Sequence, residues 1–423
     1  MLSFERKAIK YLKENAVTVF LLFVTLGGIL GRIFLWDIVS SDMAVYLKWY
    51  KRAEECGGLP GLYALGQRIK GYNALFQLLI SILVHIPGEP LYKMKLTWML
   101  FDLLLAAGLG RLVRENCGAE EQKAKIFGAL AYGACFLSMN VIFNSAAWGQ
   151  SDSVYVSLII WSLVWLLRGR HLKAFLLLGT AFAFKLQTVF ILPFYFYYYL
   201  SEQSFSCLYF LTVPGVFALS ALPRQLVRLL SPIRAEAAVE TFSSAAPVKL
   251  SGLIDVYIGQ IASGGQMCIE YPGFWSFLPN SLPEAGGFED FYKFRLTAVL
   301  FAGLVLLALI FLFLRRGGKK SREEYLFAAF LLSFTTVYFL PCMIDRYGYL
   351  YEVLALALVF ADKRTMLPAL GLLLTIIYHY AGRVGMESLP ITLPQLSLIM
   401  LLLYGVYLVL FLSRGKEEKD AGI

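Results

Sequence analysis

The sequence predicts an all-α polytopic membrane protein, a helical bundle of about twelve transmembrane helices with two long outer loops. Three observations predict it. Hydrophobic residues make up 59% of the 423 and charged residues only 16%, whereas soluble domains carry nearer a quarter charged residues. Apolar runs of about 15–22 residues recur between short charged segments, the pattern of membrane-crossing helices. The runs lack strict apolar/polar alternation, which excludes a β-barrel.

In chain order the candidate spans are 15–36, 95–113, 126–146, 153–168, 172–184, 186–200, 205–223, 294–314, 325–341, 349–361, 365–381 and 394–413. The first apolar stretch, 17–35, is longer than the hydrophobic region of a signal peptide and no small-residue cleavage site follows it, so a retained helix is expected. Lys and Arg set the orientation. Segments 1–15, 111–125, 168–173, 315–324, 362–365 and 413–423 hold 21 of the 38 basic residues, with "RRGGKKSREE" (315–324) the strongest anchor. The positive-inside rule puts all six in the cytoplasm of a multi-pass plasma-membrane protein.

With both termini inside, the number of crossings is even. The tract 72–87, cut short by "HIPGEP", is therefore expected to lie on the outer surface or re-enter from it. The long outer loops are then 37–94 and 224–293, with smaller outer turns at 144–153, 184–187, 342–348 and 382–393. Both long loops are rich in Tyr, Trp, Phe and Pro, which suits helices lying at the headgroup level. No repeat of 20–50 residues is visible, and no linker sets off a soluble domain. The chain reads as one membrane domain, 1–423.

The net charge of +9 does not indicate a nucleic-acid partner, because the basic residues cluster at helix ends, where lipid headgroups account for them. The six cysteines (56, 117, 135, 207, 268 and 342) form no CxxC pair, and His85, His171 and His379 are far apart. A structural zinc site is not expected.

Four polar stretches fall in the outer segments. In "SSDMAVYLKWY", Ser40 or Ser41 can cap a short helix whose first turn carries Asp42, where the helix dipole favours a carboxylate; the acid is equally readable as part of the cap. In "FNSAAWGQSDSVYVS" (143–157), Gln150 and Asp152 follow Trp148 on a tight turn. The cluster could line a polar cavity, or Ser151 or Asp152 could simply cap the next helix. In "AFAFKLQTVFILPF" (181–194), Lys185 interrupts nearly thirty apolar residues, which divides them into two short helices meeting at Lys185 and Gln187. A cation there suits a phosphate, the alternative being a lysine that snorkels to the interface. In "FLPCMIDRYGYLYEVLA" (339–355), Arg346 offers a planar fork for a phosphate and Tyr347 and Tyr349 offer faces for a sugar, unless Asp345 and Arg346 form a surface pair among interfacial tyrosines.

Together these stretches put acids, amides, two cations and aromatics on one membrane face between long apolar helices. Those are the requirements of a lipid-linked sugar: apolar grooves for the tail, cations for the phosphate, an acid and aromatics for the sugar.

On these motifs the sequence resembles the GT-C superfamily of integral-membrane glycosyltransferases, which use polyprenyl-phosphate sugars. It is most similar to bacterial relatives of GPI mannosyltransferase II, and more distantly to the dolichyl-phosphate-glucose-dependent glucosyltransferases. The resemblance covers about residues 17–355 through short motifs. "SDMAVYLKW" looks like the acid and aromatic-rich helix of the family's first outer loop, with Asp42 as counterpart of the catalytic base. "GYNALFQLLISIL" is similar to the outer-loop helix, and "KLTWMLFDLLLAAGL", with Lys95 before Asp102, to the next span. "AAWGQSDS" matches at Trp148, Gln150 and Asp152; "AFAFKLQTVFILPF" at Lys185, Gln187 and Pro193.

Two stretches depart from the pattern. "YPGFWSFL" has Gly273 where Asn is expected. Relatives often have Met-His-Glu-Arg-Tyr where this chain reads Met343-Ile344-Asp345-Arg346-Tyr347, which removes a proton carrier and sugar contact.

The resemblance implies an inverting transfer of a hexose, mannose first, from a polyprenyl-phosphate donor to an extracytoplasmic glycan, lipid or protein acceptor. Asp42 would be the base and Asp152 an assisting acid, with Lys185 and Arg346 on the donor phosphate. Asp37, Trp148, Gln150, Gln187, Asp345 and Tyr347 would contact substrate, Asp37 also being readable as an interfacial residue that ends the first helix. No metal or other cofactor is needed, since two cations suffice for a monophosphate, although the carboxylates leave a divalent metal open. The competing classes are a transporter or lipid-linked-glycan flippase, and an assembly factor without transferase activity. A transporter predicts charges midway along spans and an inverted repeat; an assembly factor fits Ile344.

Overall fold

The computed structural model describes residues 2–69, 71–230, 251–262, 266–278, 287–316, 318, 320–383 and 390–420. Parts of the expected loop 224–293, of the last outer turn (384–389), of the anchor 315–324 and of the tail (421–423), together with residue 70, lie outside the described residues.

The described residues are helical almost throughout. Among the described residues the only strands are Cys268–Ile269 and Met343–Ile344, which pair in parallel with Cys268 opposite Met343. Among the described residues five helices are long and apolar enough to cross a membrane: Ala16–Ile33, Pro90–Asn116, Cys207–Leu230, Asp290–Arg315 and Leu393–Arg414. Glu121–Phe136 and Met139–Ala147, bent by 47° at their junction, make a sixth if taken as one span. The protein is a membrane-embedded all-α bundle.

The expected twelve crossings are not all carried by helix length. Segments expected at 153–168, 172–184, 186–200 and 349–361 form the helices Asp152–Leu167, His171–Phe184, Leu192–Glu202 and Tyr349–Ala361. The longest of these has 16 residues, about 24 Å, short of the roughly 30 Å hydrocarbon core. The segment expected to end at 223 runs on to Leu230. The tract 72–87 forms Ala74–Val84, 11 residues and about 16 Å, too short to cross.

Burial separates the two kinds of helix. The long helices Ala16–Ile33 and Asp290–Arg315 expose Leu22, Phe23 and Leu26, and Leu300, Leu304 and Leu307, surfaces that hydrocarbon wets without cost. The shorter Asp152–Leu167 and Tyr349–Ala361, and Arg322–Phe339, are buried along nearly their whole length. Lipid tails are as apolar as the side chains, so helix association rests on close packing rather than on the hydrophobic effect. Phe334 and Tyr351 stack with centroids 4.4 Å apart, and Phe330 meets Tyr407 at 4.4 Å; each such pair is worth roughly 0.5–1.5 kcal/mol. Where Pro90–Asn116 crosses Glu121–Phe136, a Cβ on Gly110 would stand 2.7 Å from the Gly128 carbonyl oxygen, so glycine sets the approach of the two backbones.

Candidate active site

Helix Ser41–Glu55 starts from Ser40, whose Oγ accepts from Met43 N at 3.0 Å and donates to the Trp148 carbonyl at 2.5 Å. Ser40 is therefore the cap, and Asp42, in the first turn, is not needed for it. Its Oδ2 instead accepts three bonds: Gln150 Nε2 at 2.5 Å, Trp148 Nε1 at 2.9 Å and Arg346 Nη1 at 3.2 Å. Oδ1 has no partner among the described residues, and a third of the side chain is exposed (33%). One oxygen is clamped and the other is open.

A break in the backbone brings Trp148 and Gln150 to Asp42. Phe143–Ala147 forms a π-helical turn, a device that concentrates at functional sites. Gly149 follows with φ +74°, and a Cβ there would stand 2.7 Å from Met43 Sδ. Glycine alone meets both conditions without strain. Gln150 N then donates to the Asn144 carbonyl at 2.8 Å, closing the turn.

The second centre is Lys185 with Asp152. Helix His171–Phe184 stops at Lys185, which is extended (φ −148°, ψ 133°) before the 3-10 turn Leu186–Ile191, so the chain breaks where the interrupting lysine predicts. Lys185 Nζ pairs with Asp152 Oδ1, and Asn144 Nδ2 donates to Asp152 Oδ2 at 3.0 Å. The paired side chains are 5% and 1% exposed. Lys185 does not snorkel, and Asp152 spends its oxygens on these donors rather than on a helix cap.

Tyr46 connects the two centres. Its hydroxyl donates to Gln150 Oε1 at 3.1 Å and shares a 2.7 Å bond with Tyr72, whose ring lies 5.9 Å from Lys185 Nζ. Burial, then the neighbouring Tyr72, hold the Tyr46 phenol well above its usual pKa, so it acts in this network as a neutral hydroxyl.

Arg346 arrives from the opposite side of the chain. The parallel pairing of Cys268–Ile269 with Met343–Ile344, and Cys342 N bonded to Met267 O at 2.8 Å, fix the turn that carries it. Asp345 Oδ1 accepts from Arg346 N at 2.8 Å. Burial works against the guanidinium charge, but Asp152 and Asp42 outweigh it and raise its pKa. Only Nη1 is engaged by Asp42. Nε is buried without a partner, and Nη2 has none among the described residues. The Nε–Nη2 edge is the side-on fork of a guanidinium, suited to two oxygens of a phosphate.

The other expected residues fall around these centres. Tyr347 interacts with Gln187 and packs on Phe190 at 5.7 Å. Asp345 is buried beneath Arg346 rather than on the surface, beside a cavity of ≈ 10 Å³ shared with Glu352 and Tyr380, room for about one water. Asp37 is exposed and accepts from Tyr92 at 2.8 Å, outside the network around Asp42. None of the six cysteines is in a disulfide. Among the described residues no group of three or more His, Cys, Asp or Glu is placed to hold a metal ion.

Two residues of the site, Tyr46 and Tyr72, escaped the sequence reading. Lys95, noted in the sequence before Asp102 but given no role there, ties the approach to Asp42 to the π-helical turn: its Nζ reaches the carbonyls of Ile38 and Ala146 at 2.6 Å, Trp36 at 2.9 Å and Leu35 at 3.1 Å. Below it, Asp102 Oδ2 takes Ser145 at 2.5 Å and the fully buried Arg32 at 2.8 Å, and Glu352 takes Asn140 at 3.0 Å.

The arrangement offers an open carboxylate oxygen to take a proton, a guanidinium edge to receive an anion, and a buried ion pair behind both. Residues 72–342 match the family model for Glycosyltransferase family 87. The matched stretch contains Trp148, Gln150, Asp152, Lys185 and Gln187, while Asp42 lies 30 residues before it and Arg346 four after it. No curated protein matches the chain.

Proposed function

The chain belongs to glycosyltransferase family 87, and from that membership we propose that it transfers a hexose, mannose foremost, from a polyprenyl-phosphate donor to an extracytoplasmic acceptor. In this reading the bundle is of the GT-C type with twelve crossings, both termini cytoplasmic and the site on the outer face. The short buried helices cross only in company with their neighbours. Charge placement supports the orientation: Arg111, Arg114, Lys123 and Lys125 gather at the end of Pro90–Asn116 away from Lys95, as the positive-inside rule requires.

The acceptor hydroxyl attacks C1 of the sugar from the face opposite the phosphate, giving inversion. The new C1–O bond forms as the bond from C1 to the phosphate oxygen breaks. Asp42 Oδ1 takes the hydroxyl proton. The departing lipid phosphate keeps the bonding electrons, and its developing charge meets the Nε–Nη2 edge of Arg346, with Lys185 behind it. Asp152 holds Lys185, and Trp148 and Gln150 hold Asp42. In this reading Trp148, Gln187 and Tyr347 meet the sugar, the buried Asp345 acts by positioning Arg346, and Asp37 stands at the outer margin.

One observation carries this reading: Asp42 has one oxygen fixed by three donors and the other unengaged, and one of those donors belongs to an arginine whose phosphate-binding edge is free. The test is donor consumption by the purified protein supplied with polyprenyl-phosphate mannose and an acceptor, compared with Asp42→Asn. Loss of a general base costs on the order of 10²–10⁴-fold; Asp42→Asn should lose that much turnover while melting at the wild-type temperature. Normal turnover by the variant removes Asp42 from the chemistry, and consumption of a polyprenyl-phosphate glucose alone changes the sugar.

A further inference from the structure

Helix Pro90–Asn116 places Lys95 beside the candidate site and Arg111 about 24 Å further along its axis. At that far end the helices Ala16–Ile33, Pro90–Asn116 and Glu121–Phe136 enclose a groove of about 580 Å³. Its floor is the Gly110–Gly128 crossing, where the two helix backbones are in contact. Val17, Leu21, Ala107 and Ala129 line the apolar walls.

The walls offer little to a polar guest. Thr25 and Tyr132 bond each other at 2.7 Å, and Trp161 Nε1 donates to the Leu104 carbonyl at 3.0 Å, so Trp161 presents only its ring. The charges at the groove are Arg111, Arg114 and Lys125. They are only partly spent. Arg111 shares Glu115 with Arg168; Lys125 pairs with Glu121 at 2.8 Å, and Arg114 stands 4.0 Å from the same carboxylate, which is 78% exposed. Four cations thus divide two carboxylates, and the exposed pairs at Glu121 hold weakly.

An apolar slot ending in an excess of cations complements an amphiphile with an anionic head. We propose that the groove is a binding site for a membrane phospholipid with an anionic headgroup, one acyl chain lying over Gly110 and Gly128 and the phosphate among Arg111, Arg114 and Lys125. A free phosphate would leave the walls unused, and a choline headgroup would bring a positive charge to the cations. The site is separate from the one around Asp42 and does not depend on the transfer reaction assigned there.

The experiment is native mass spectrometry of the full chain in detergent with added dioleoyl-phosphatidylglycerol or dioleoyl-phosphatidylcholine. A cation near a headgroup is worth about fivefold in binding; with two carboxylates offsetting part of three cations, a preference of about tenfold for phosphatidylglycerol is expected. R111Q/R114Q/K125Q should remove the preference. A107W, at an exposed position facing the groove, should cut phosphatidylglycerol retention about tenfold with the cations intact. Millimolar inorganic phosphate should not compete. Equal retention of the two lipids by the wild type would overturn the proposal, as would a preference that survives both variants or is abolished by free phosphate. The variants change different residues, so misfolding of one leaves the other to decide.

Discussion

Replacing Lys185 with Met separates what the buried pair does for the fold from what it does for the chemistry. The pair sits at 5% and 1% side-chain exposure, so the screening that makes surface pairs nearly worthless does not operate. Removing one partner of a buried pair costs about 3–5 kcal/mol, because the remaining charge stays desolvated and uncompensated. After Lys185→Met, Asp152 keeps one hydrogen bond, from Asn144 at 3.0 Å, and the field of Arg346. These place the loss near the lower end, about 3 kcal/mol.

Asp152→Asn alone strands the ammonium and should cost about as much. The double variant K185M/D152N removes both charges, leaves Asn144 facing an amide, and should return to within about 1 kcal/mol of the wild type, since neutral replacements of buried pairs are tolerated. Turnover should not return with it, because the cation behind the leaving phosphate is gone. Thermal unfolding of the detergent-solubilised protein and donor consumption, measured on all four forms, read the two effects separately. A double variant that recovers both stability and turnover refutes the role of the pair in transfer. Single variants that melt like the wild type refute the energetic argument from burial.

Three further variants probe the geometry around the pair. Arg346→Lys keeps a charge for Asp42 but loses the side-on fork, so the KM for donor should rise about tenfold, or about 1.4 kcal/mol, in a donor titration, with melting unchanged. Gly149→Ala forces a Cβ into φ +74° and against Met43 Sδ, costing about 1–2 kcal/mol; kcat should fall more than donor affinity because Trp148 and Gln150 are displaced together. Lys95→Met deprives four carbonyls of their donor and, at about 1–3 kcal/mol for each buried group left unpaired, should lower the melting temperature markedly and depress turnover although Lys95 bonds only to backbone carbonyls and not to Asp42.

Much of the site was legible because polar residues stand out against an apolar chain. Asp42, Gln150, Asp152, Lys185 and Arg346 were each singled out that way, and the backbone break at Lys185 followed from the same contrast. The pairings were not legible: Asp42 meets Trp148 and Arg346 across 106 and 304 residues, and no local pattern encodes such a distance. Tyr46 did leave a signal, since it lies four residues after Asp42 and so on the same helix face. Lys95 and Asp102 left another, two ionisable residues two turns apart in an otherwise apolar span, the same signal that marked Lys185. The number of crossings was the least legible feature, because an apolar run reports burial and does not say whether lipid or protein surrounds it.

The short helices and the polar site have a common cause. Backbone that leaves the helical ladder inside a membrane must find its hydrogen bonds in the protein or in a water-lined space. Here the ladder is broken at 143–150 and at 185, and both breaks lie within a sheath of buried helices. At the first, the freed carbonyls are taken up by Lys95 at Ala146, by Ser40 at Trp148 and by Gln150 N at Asn144. At the second, Lys185 spends its charge on Asp152. The outer long helices can be regular because lipid faces them, whereas the inner ones can be short and interrupted because protein does. Regular spans with the same side chains would point Gln150 and Lys185 into different helix faces, so the interruptions themselves assemble the acid, the amides and the cations. This makes Gly149 and Lys95, neither of which bonds to Asp42 or Arg346, as necessary to its geometry as the residues they bring together.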